Sequence, residues 1–147
     1  MTNATQVSIQ VSRRFLASAE RVFDAWLDPE RAGRFLFATP TGEIVRAEID
    51  PRVGGRYMLV DRRDGEDVEH FGEYREIDRP RRLVFTLTVP KYSTASTVIT
   101  IEIAALDTGC ELTLTDESVP TDWADRSREG WTSILNGLAE AVEGAQE

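Results

Sequence analysis

Thr97-Val98-Ile99-Thr100-Ile101-Glu102-Ile103-Ala104-Ala105 and Glu111-Leu112-Thr113-Leu114-Thr115-Asp116-Glu117 are two runs in which apolar and polar residues alternate, with Asp107-Thr108-Gly109 between them. A period of two sends successive side chains to opposite faces of a strand. A link this short cannot carry the chain back for a parallel return, which needs a crossover of about a dozen residues or more. The segment therefore reads as an antiparallel hairpin. The same period extends toward the N-terminus over Glu43–Ile49, Arg56–Asp61, Val68–Ile77 and Leu83–Val89. The gaps carry turn chemistry: Asp50-Pro51-Arg52-Val53-Gly54-Gly55, Asp64-Gly65, Asp78-Arg79-Pro80 and Pro90. Consecutive strands with hairpin-length links form a meander.

The two ends of the chain read differently. Val7, Ile9 and Val11 alternate with Ser8, Gln10 and Ser12, the mark of a half-buried strand. Ser18 then caps a short helix with Ala19, Val22, Phe23 and Trp26 at helical spacing. Asp28-Pro29 stops that helix, and Asp28 caps a second brief one through Phe35. Pro120 and Thr121 introduce a long helix to about Glu143, with Trp123, Trp131, Ile134, Leu135, Leu138 and Val142 mostly on one face. Asp122, Asp125, Arg126, Arg128 and Glu129 are left for the wet side. The fold class is α+β: a curved antiparallel sheet, two short helices and a long C-terminal helix. A strongly curved sheet cannot meet a straight helix along its whole length. A space is expected between them, lined by the inward side chains.

Composition narrows the function. The 147 residues suit one domain spanning 1–147, and 41% hydrophobic with 29% charged residues is an ordinary globular balance. Seventeen Lys+Arg against 26 Asp+Glu give a net charge of −9, which repels phosphate backbones and anionic lipid, so neither nucleic acid nor membrane is expected as a partner. Cys110 and His70 are the only residues of their types, so an internal disulfide and a four-ligand nitrogen/sulfur zinc site are excluded. No calcium loop, phosphate loop or paired-His motif occurs, and no metal or cofactor is expected. No run approaches the roughly 20 apolar residues of a membrane helix. Met1–Gln10 lacks a basic start and apolar stretch, which points to a reduced, cytoplasmic setting.

Five stretches, in order along the chain, carry a family resemblance. They are Ala19-Glu20-Arg21-Val22-Phe23-Asp24-Ala25-Trp26 running into Asp28-Pro29-Glu30; Gly54-Gly55; Gly72-Glu73-Tyr74-Arg75-Glu76-Ile77-Asp78; Pro80-Arg81-Arg82-Leu83-Val84-Phe85-Thr86; and Gly130-Trp131. The chain resembles the START-like, or helix-grip (SRPBCC), superfamily. Within it the likeness is to bacterial proteins similar to the C-terminal domain of the activator of the heat-shock-protein-90 ATPase. The resemblance implies about seven antiparallel strands gripping the C-terminal helix around an apolar cavity. Relatives often carry a His shortly before Gly-Trp; here Ser127, Arg128 and Glu129 stand there, so no role of that His transfers. Gly130 is expected to let the helix approach the sheet closely.

The aromatic supply suggests the cavity wall. Tyr57, Phe71, Phe85, Trp123, Trp131 and Leu135 are the candidates for ligand contact, with Phe35 and Phe37 in an apolar segment that is either a lid or simple packing. Tyr57, Tyr74 and His70 are the candidate polar groups. His70, between Glu69 and Phe71, is either a pocket proton donor or anchor, or a strand residue turned to solvent. Cys110, flanked nearby by Asp107 and Glu111, reads as an inert thiol. No spacing singles out a catalytic pair, and no catalytic residue is assigned. The leading expectation is binding of a small apolar or amphipathic molecule between sheet and helix. The alternatives are a co-chaperone or stress-response partner and a cavity enzyme of cyclase, dehydratase or hydrolase type. A homodimer is left open.

Overall fold

The computed structural model describes residues 6–36, 42–91 and 93–143. Its elements run β1 (Gln6–Phe15), α1 (Ala19–Ala25), α2 (Pro29–Phe35), β2 (Glu43–Ile49), β3 (Arg56–Arg63), β4 (Glu66–Asp78), β5 (Arg82–Val89), β6 (Ser93–Leu106), β7 (Gly109–Pro120), a 3-10 turn (Thr121–Trp123) and α3 (Ala124–Glu143). The strands form one seven-stranded sheet in the order β1-β7-β6-β5-β4-β3-β2, antiparallel throughout. Strands β2 to β7 are the meander read from the alternation. Strand β1 closes against β7, so the two ends of the chain meet on one side. The helix-grip architecture is present.

Local chemistry sets the boundaries. Ser18 accepts from the Arg21 backbone N–H at 3.1 Å and opens α1; Asp28 Oδ1 accepts from Glu30 N–H at 3.0 Å and opens α2. Asp64 (φ 52°) and Gly65 (φ 81°) are both left-handed, the backbone a two-residue hairpin demands. Register shifts between Val7 and Ile9, Ile44 and Arg46, Tyr74 and Glu76, and Leu87 and Val89 interrupt the ladders, and such irregularities bend a sheet.

The concave face carries Ile9, Phe15, Tyr57, Leu59, Tyr74, Leu83, Phe85, Ile99, Ile101, Ile103, Leu112 and Leu114, which pack into one core with α1, α2 and α3. Helix α3 buries Trp131, Leu135, Leu138, Ala139 and Val142. All of these lie in its last thirteen residues. That half is also tied down: Arg13 Nε donates to Asn136 Oδ1 at 3.0 Å, Arg21 Nε to the Val142 carbonyl at 2.8 Å, and Leu16 N–H to Glu143 Oε2 at 2.8 Å. Ala124 to Gly130 contributes no fully buried side chain, only Ala124 partly buried against the core.

Gly130 corrects an expectation. It is exposed, and a Cβ there would meet nothing within 4 Å, so it is not where helix and sheet draw together. The close approach of α3 is to α2 instead, at Gly137, where a Cβ would stand 3.2 Å from Phe35 Cβ. No helix among the described residues is long and apolar enough to cross a membrane.

Candidate functional site

Two regions of the concave face differ in how well they are filled. Below α1 and α2, Trp26, Phe35, Tyr57, Tyr74 and Phe85 form a connected set of edge-on and tilted rings, with centroids 5.2 to 6.4 Å apart. The space they leave, together with Leu36 and Leu83, is about 10 Å³. That is the bare minimum for one water, so no organic molecule fits there. Tyr57 is fixed by its hydroxyl, which donates to the Thr86 carbonyl at 2.6 Å. Gly72, directly across from Tyr57, makes this possible: a Cβ there would lie 1.8 Å from the Thr86 oxygen and 2.9 Å from the Tyr57 ring. Burial holds the Tyr57 and Tyr74 hydroxyls well above their ordinary pKa, so both stay protonated.

At the other end, under the unburied half of α3, an open groove of about 370 Å³ runs between the sheet and the start of the helix. Its walls are Leu87, Val89, Ala95, Val119, Pro120 and Trp123; its polar groups are Thr97, Asp116 and Ser127. This groove is an open cleft at the edge between sheet and helix.

Asp116 dominates its chemistry. It follows Leu112 and Leu114 on the inward phase of β7, and is only 5% exposed. Its Oδ2 accepts from the Trp131 indole N–H at 2.9 Å, while its Oδ1 has no hydrogen-bond partner among the described residues. Burial raises the carboxyl above its ordinary value; the Trp131 N–H and the Thr97 hydroxyl pull the other way, and Glu117 adds to the rise.

A second buried polar set lies on β3 and β4. Asp61 and His70 are inward, each opposite an apolar residue: Asp61 faces Val68, and His70 faces Leu59. Arg63 forms an ion pair with Asp61. Desolvation and the Arg63 charge lower the His70 pKa to about 4, against the weaker opposing effects of backbone hydrogen bonds and Asp61. His70 is thus a buried neutral imidazole, which corrects the solvent-facing reading. Among the described residues no group of three or more His, Cys, Asp or Glu is placed to hold a metal.

The other candidates separate. Trp123 lines the groove, 38% exposed, with the Arg126 guanidinium 4.9 Å over its ring. Trp131 stands behind Asp116. Tyr57, Phe85 and Phe35 belong to the filled end, and Leu135 to the buried core. Phe35 and Leu36 are buried, which favours packing over a lid; Phe37 lies outside the described residues. Phe71 is on the opposite, convex face, beside Met58 in a shallow groove of about 320 Å³ rimmed by Arg46, Glu48 and Arg56. Gly72 holds the inward position instead, so the phase there differs by one residue. Cys110 is buried, and its thiol is raised by burial and by Glu20 rather than by its sequence neighbours. Sequence reading passed over Leu87, Val89, Ala95, Thr97, Asp116, Val119, Pro120 and Ser127 as site residues. The available signal was a carboxylate at an apolar phase, Leu112-x-Leu114-x-Asp116.

Known proteins place this geometry in context. The family model described as activator of Hsp90 ATPase homolog 1-like protein matches residues 16–143. No curated protein matches the chain. Among solved structures, protein CV1439 from Chromobacterium violaceum is 28% identical with a TM-score of 0.85, covering 92% of this chain and 96% of that one. Protein SA2116 from Staphylococcus aureus, a protein of unknown function, is 18% identical with a TM-score of 0.85, covering 95% of each. An AHSA1-like protein from Aeromonas hydrophila is 20% identical with a TM-score of 0.80, covering 94% and 93%. The family match spans most of the chain and takes in the short helices, all of β2 to β7 and the gripping helix, so the chain belongs to the family of activator of Hsp90 ATPase homolog 1-like proteins.

Proposed function

We propose that the protein binds a small amphipathic molecule in the groove between β5–β7 and the start of α3. The observation that carries this is a cleft of about 370 Å³ with six apolar walls and a buried carboxylate among them. A ligand pocket commonly has this make-up: mostly apolar lining, with a few polar groups that fix orientation. The apolar part of the ligand rests on Leu87, Val89, Val119 and Trp123, and its polar end lies toward Thr97 and Asp116. Asp116 is the only titratable group lining the groove among the described residues, which favours binding over the acid–base pair that cavity catalysis would need. The test is titration with a neutral, apolar fluorescent probe against wild-type protein and Ala95→Trp, whose added indole fills the exposed wall. Saturable binding at one site, lost in Ala95→Trp, supports the reading. An unsaturable signal, or one that Ala95→Trp leaves intact, defeats it.

The family description favours one second reading, contact with an Hsp90-type ATPase. That reading requires the purified protein to raise the chaperone's rate of ATP hydrolysis, and an unchanged rate removes it.

A further inference from the structure

The groove's ligand can be specified further by asking what Asp116 still lacks. The Trp131 indole N–H holds Oδ2 at 2.9 Å and so fixes the carboxylate's orientation, while Oδ1, on a side chain only 5% exposed, has no partner among the described residues. A buried acceptor without a donor is costly, and a buried carboxylate more so, unless a donor or a cation reaches it. The Thr97 hydroxyl stands close enough to favour the charged form, yet Oδ1 has no hydrogen-bond partner among the described residues. Among the described residues no Lys or Arg lines the groove to complete the pair. The described residues thus leave one place open for a donor at Asp116 Oδ1.

Resting on the groove reading above, we propose that the ligand is an amine with an apolar body, its protonated nitrogen donating to Asp116 Oδ1. Three observations select the amine over other polar ends. A carboxylate or phosphate ligand would meet Asp116 as a like charge, in a protein whose net charge is already −9. An alcohol supplies a donor but leaves the buried negative charge uncompensated, whereas an ammonium supplies both the donor and the opposite charge. Arg126 is itself held at the rim, its guanidinium 4.9 Å over the Trp123 ring and not among the groove's lining residues, so it does not neutralise Asp116. Val89, Leu87 and Val119 give the alkyl or aryl part of such a molecule an apolar bed.

The experiment is displacement of the neutral fluorescent probe by n-octylamine, n-octanol and octanoate at neutral pH, with calorimetry on the amine. These share one tail and differ only in the head. Octylamine is expected to bind about tenfold or more tighter than octanol, and octanoate more weakly than either. Asp116→Asn, which keeps the shape and removes the charge, is expected to weaken octylamine far more than octanol and so to close most of the gap between them. Octanol matching or exceeding octylamine in the wild-type protein overturns the amine assignment and leaves the groove reading standing. Failure of the probe and of all three heads to bind overturns both. The wild-type series decides the matter even where Asp116→Asn does not fold.

Discussion

The concave face is built from one kind of strand but ends in two different ways. Under α1 and α2, five aromatic rings leave only about 10 Å³; under the start of α3, the same sheet leaves a cleft of about 370 Å³. The difference lies in what closes each end. Two short helices can tilt independently, and capped turns at Ser18 and Asp28 let each follow the curve. Helix α3 is a single rod, latched near its C-terminus by Asn136, Val142 and Glu143, and its first seven residues have no fully buried side chain to draw them down. A fold of this type sets aside space where a rigid element overhangs, and fills space where short elements conform. Stability is therefore expected to concentrate at one end and ligand chemistry at the other.

The sharpest way to break that division is a matched pair of truncations. Phe85 is 2% exposed and touches Trp26, Tyr57 and Tyr74. Phe85→Ala leaves a large hole among rings that cannot collapse into it, and should cost about 3–5 kcal/mol of unfolding free energy. Trp123→Ala removes a larger side chain, but from the groove rim, and should cost within about 0.5 kcal/mol while weakening probe binding. Urea unfolding and probe titration on both variants give the two readings. Equal losses of stability would mean that the groove end is part of the core and not a reserved space.

How much of this was legible in the sequence follows the same division. Period-two alternation and turn residues place strands β2 to β7, and Ser18 and Asp28 locate both short helices, because these are local signals with local causes. The one-residue phase of β4 is not local. A shift between Tyr74 and Glu76 in the pairing with β5, and the need for a glycine opposite Tyr57, put Gly72 inward and Phe71 outward. Aromatic character alone cannot reveal that. Gly130 misleads for a similar reason: its place in a motif says nothing of what lies next to it, and the close contact fell at Gly137. Asp116 was visible as a carboxylate in an apolar phase. Its significance depended on Trp131, which is fifteen positions away in sequence and on another element.

A smaller test uses the neutral imidazole beside the filled end. In the unfolded chain His70 titrates near 6.5; in the folded protein it is lowered to about 4. Between those values the unfolded chain binds a proton that the folded protein refuses, so the stability this group contributes is complete above about pH 6.5 and is lost as pH falls toward 4. The gap corresponds to on the order of 3 kcal/mol. Asp116 acts in the opposite sense, since its raised carboxyl takes up its proton earlier when folded. His70→Gln removes the imidazole titration and should flatten most of the fall in urea midpoint between neutral pH and pH of about 4.5. Parallel pH curves for wild type and His70→Gln would show that His70 is charged or solvated in the folded protein, and the interior of β3–β4 would then belong with the open end.

The smallest expected effect is also the one that bears most directly on the overhang. Gly130 lies inside the exposed half of α3, where a Cβ meets open space, and its backbone needs no left-handed conformation. Gly130→Ala should therefore stabilise the protein, by up to about 1 kcal/mol, from better helix propensity and a less flexible unfolded chain. If that half of the helix pressed on the sheet, as the motif suggested, the added methyl would clash and the sign would reverse. Thermal unfolding of this one variant thus reports whether the rod stands clear of the strands above the groove. A gain in melting temperature with unchanged probe affinity is the expected result, because the methyl meets no groove side chain within 4 Å. A loss of stability would mean that helix and sheet meet at Gly130 after all, and the cleft beside it would have to be narrower than its walls indicate.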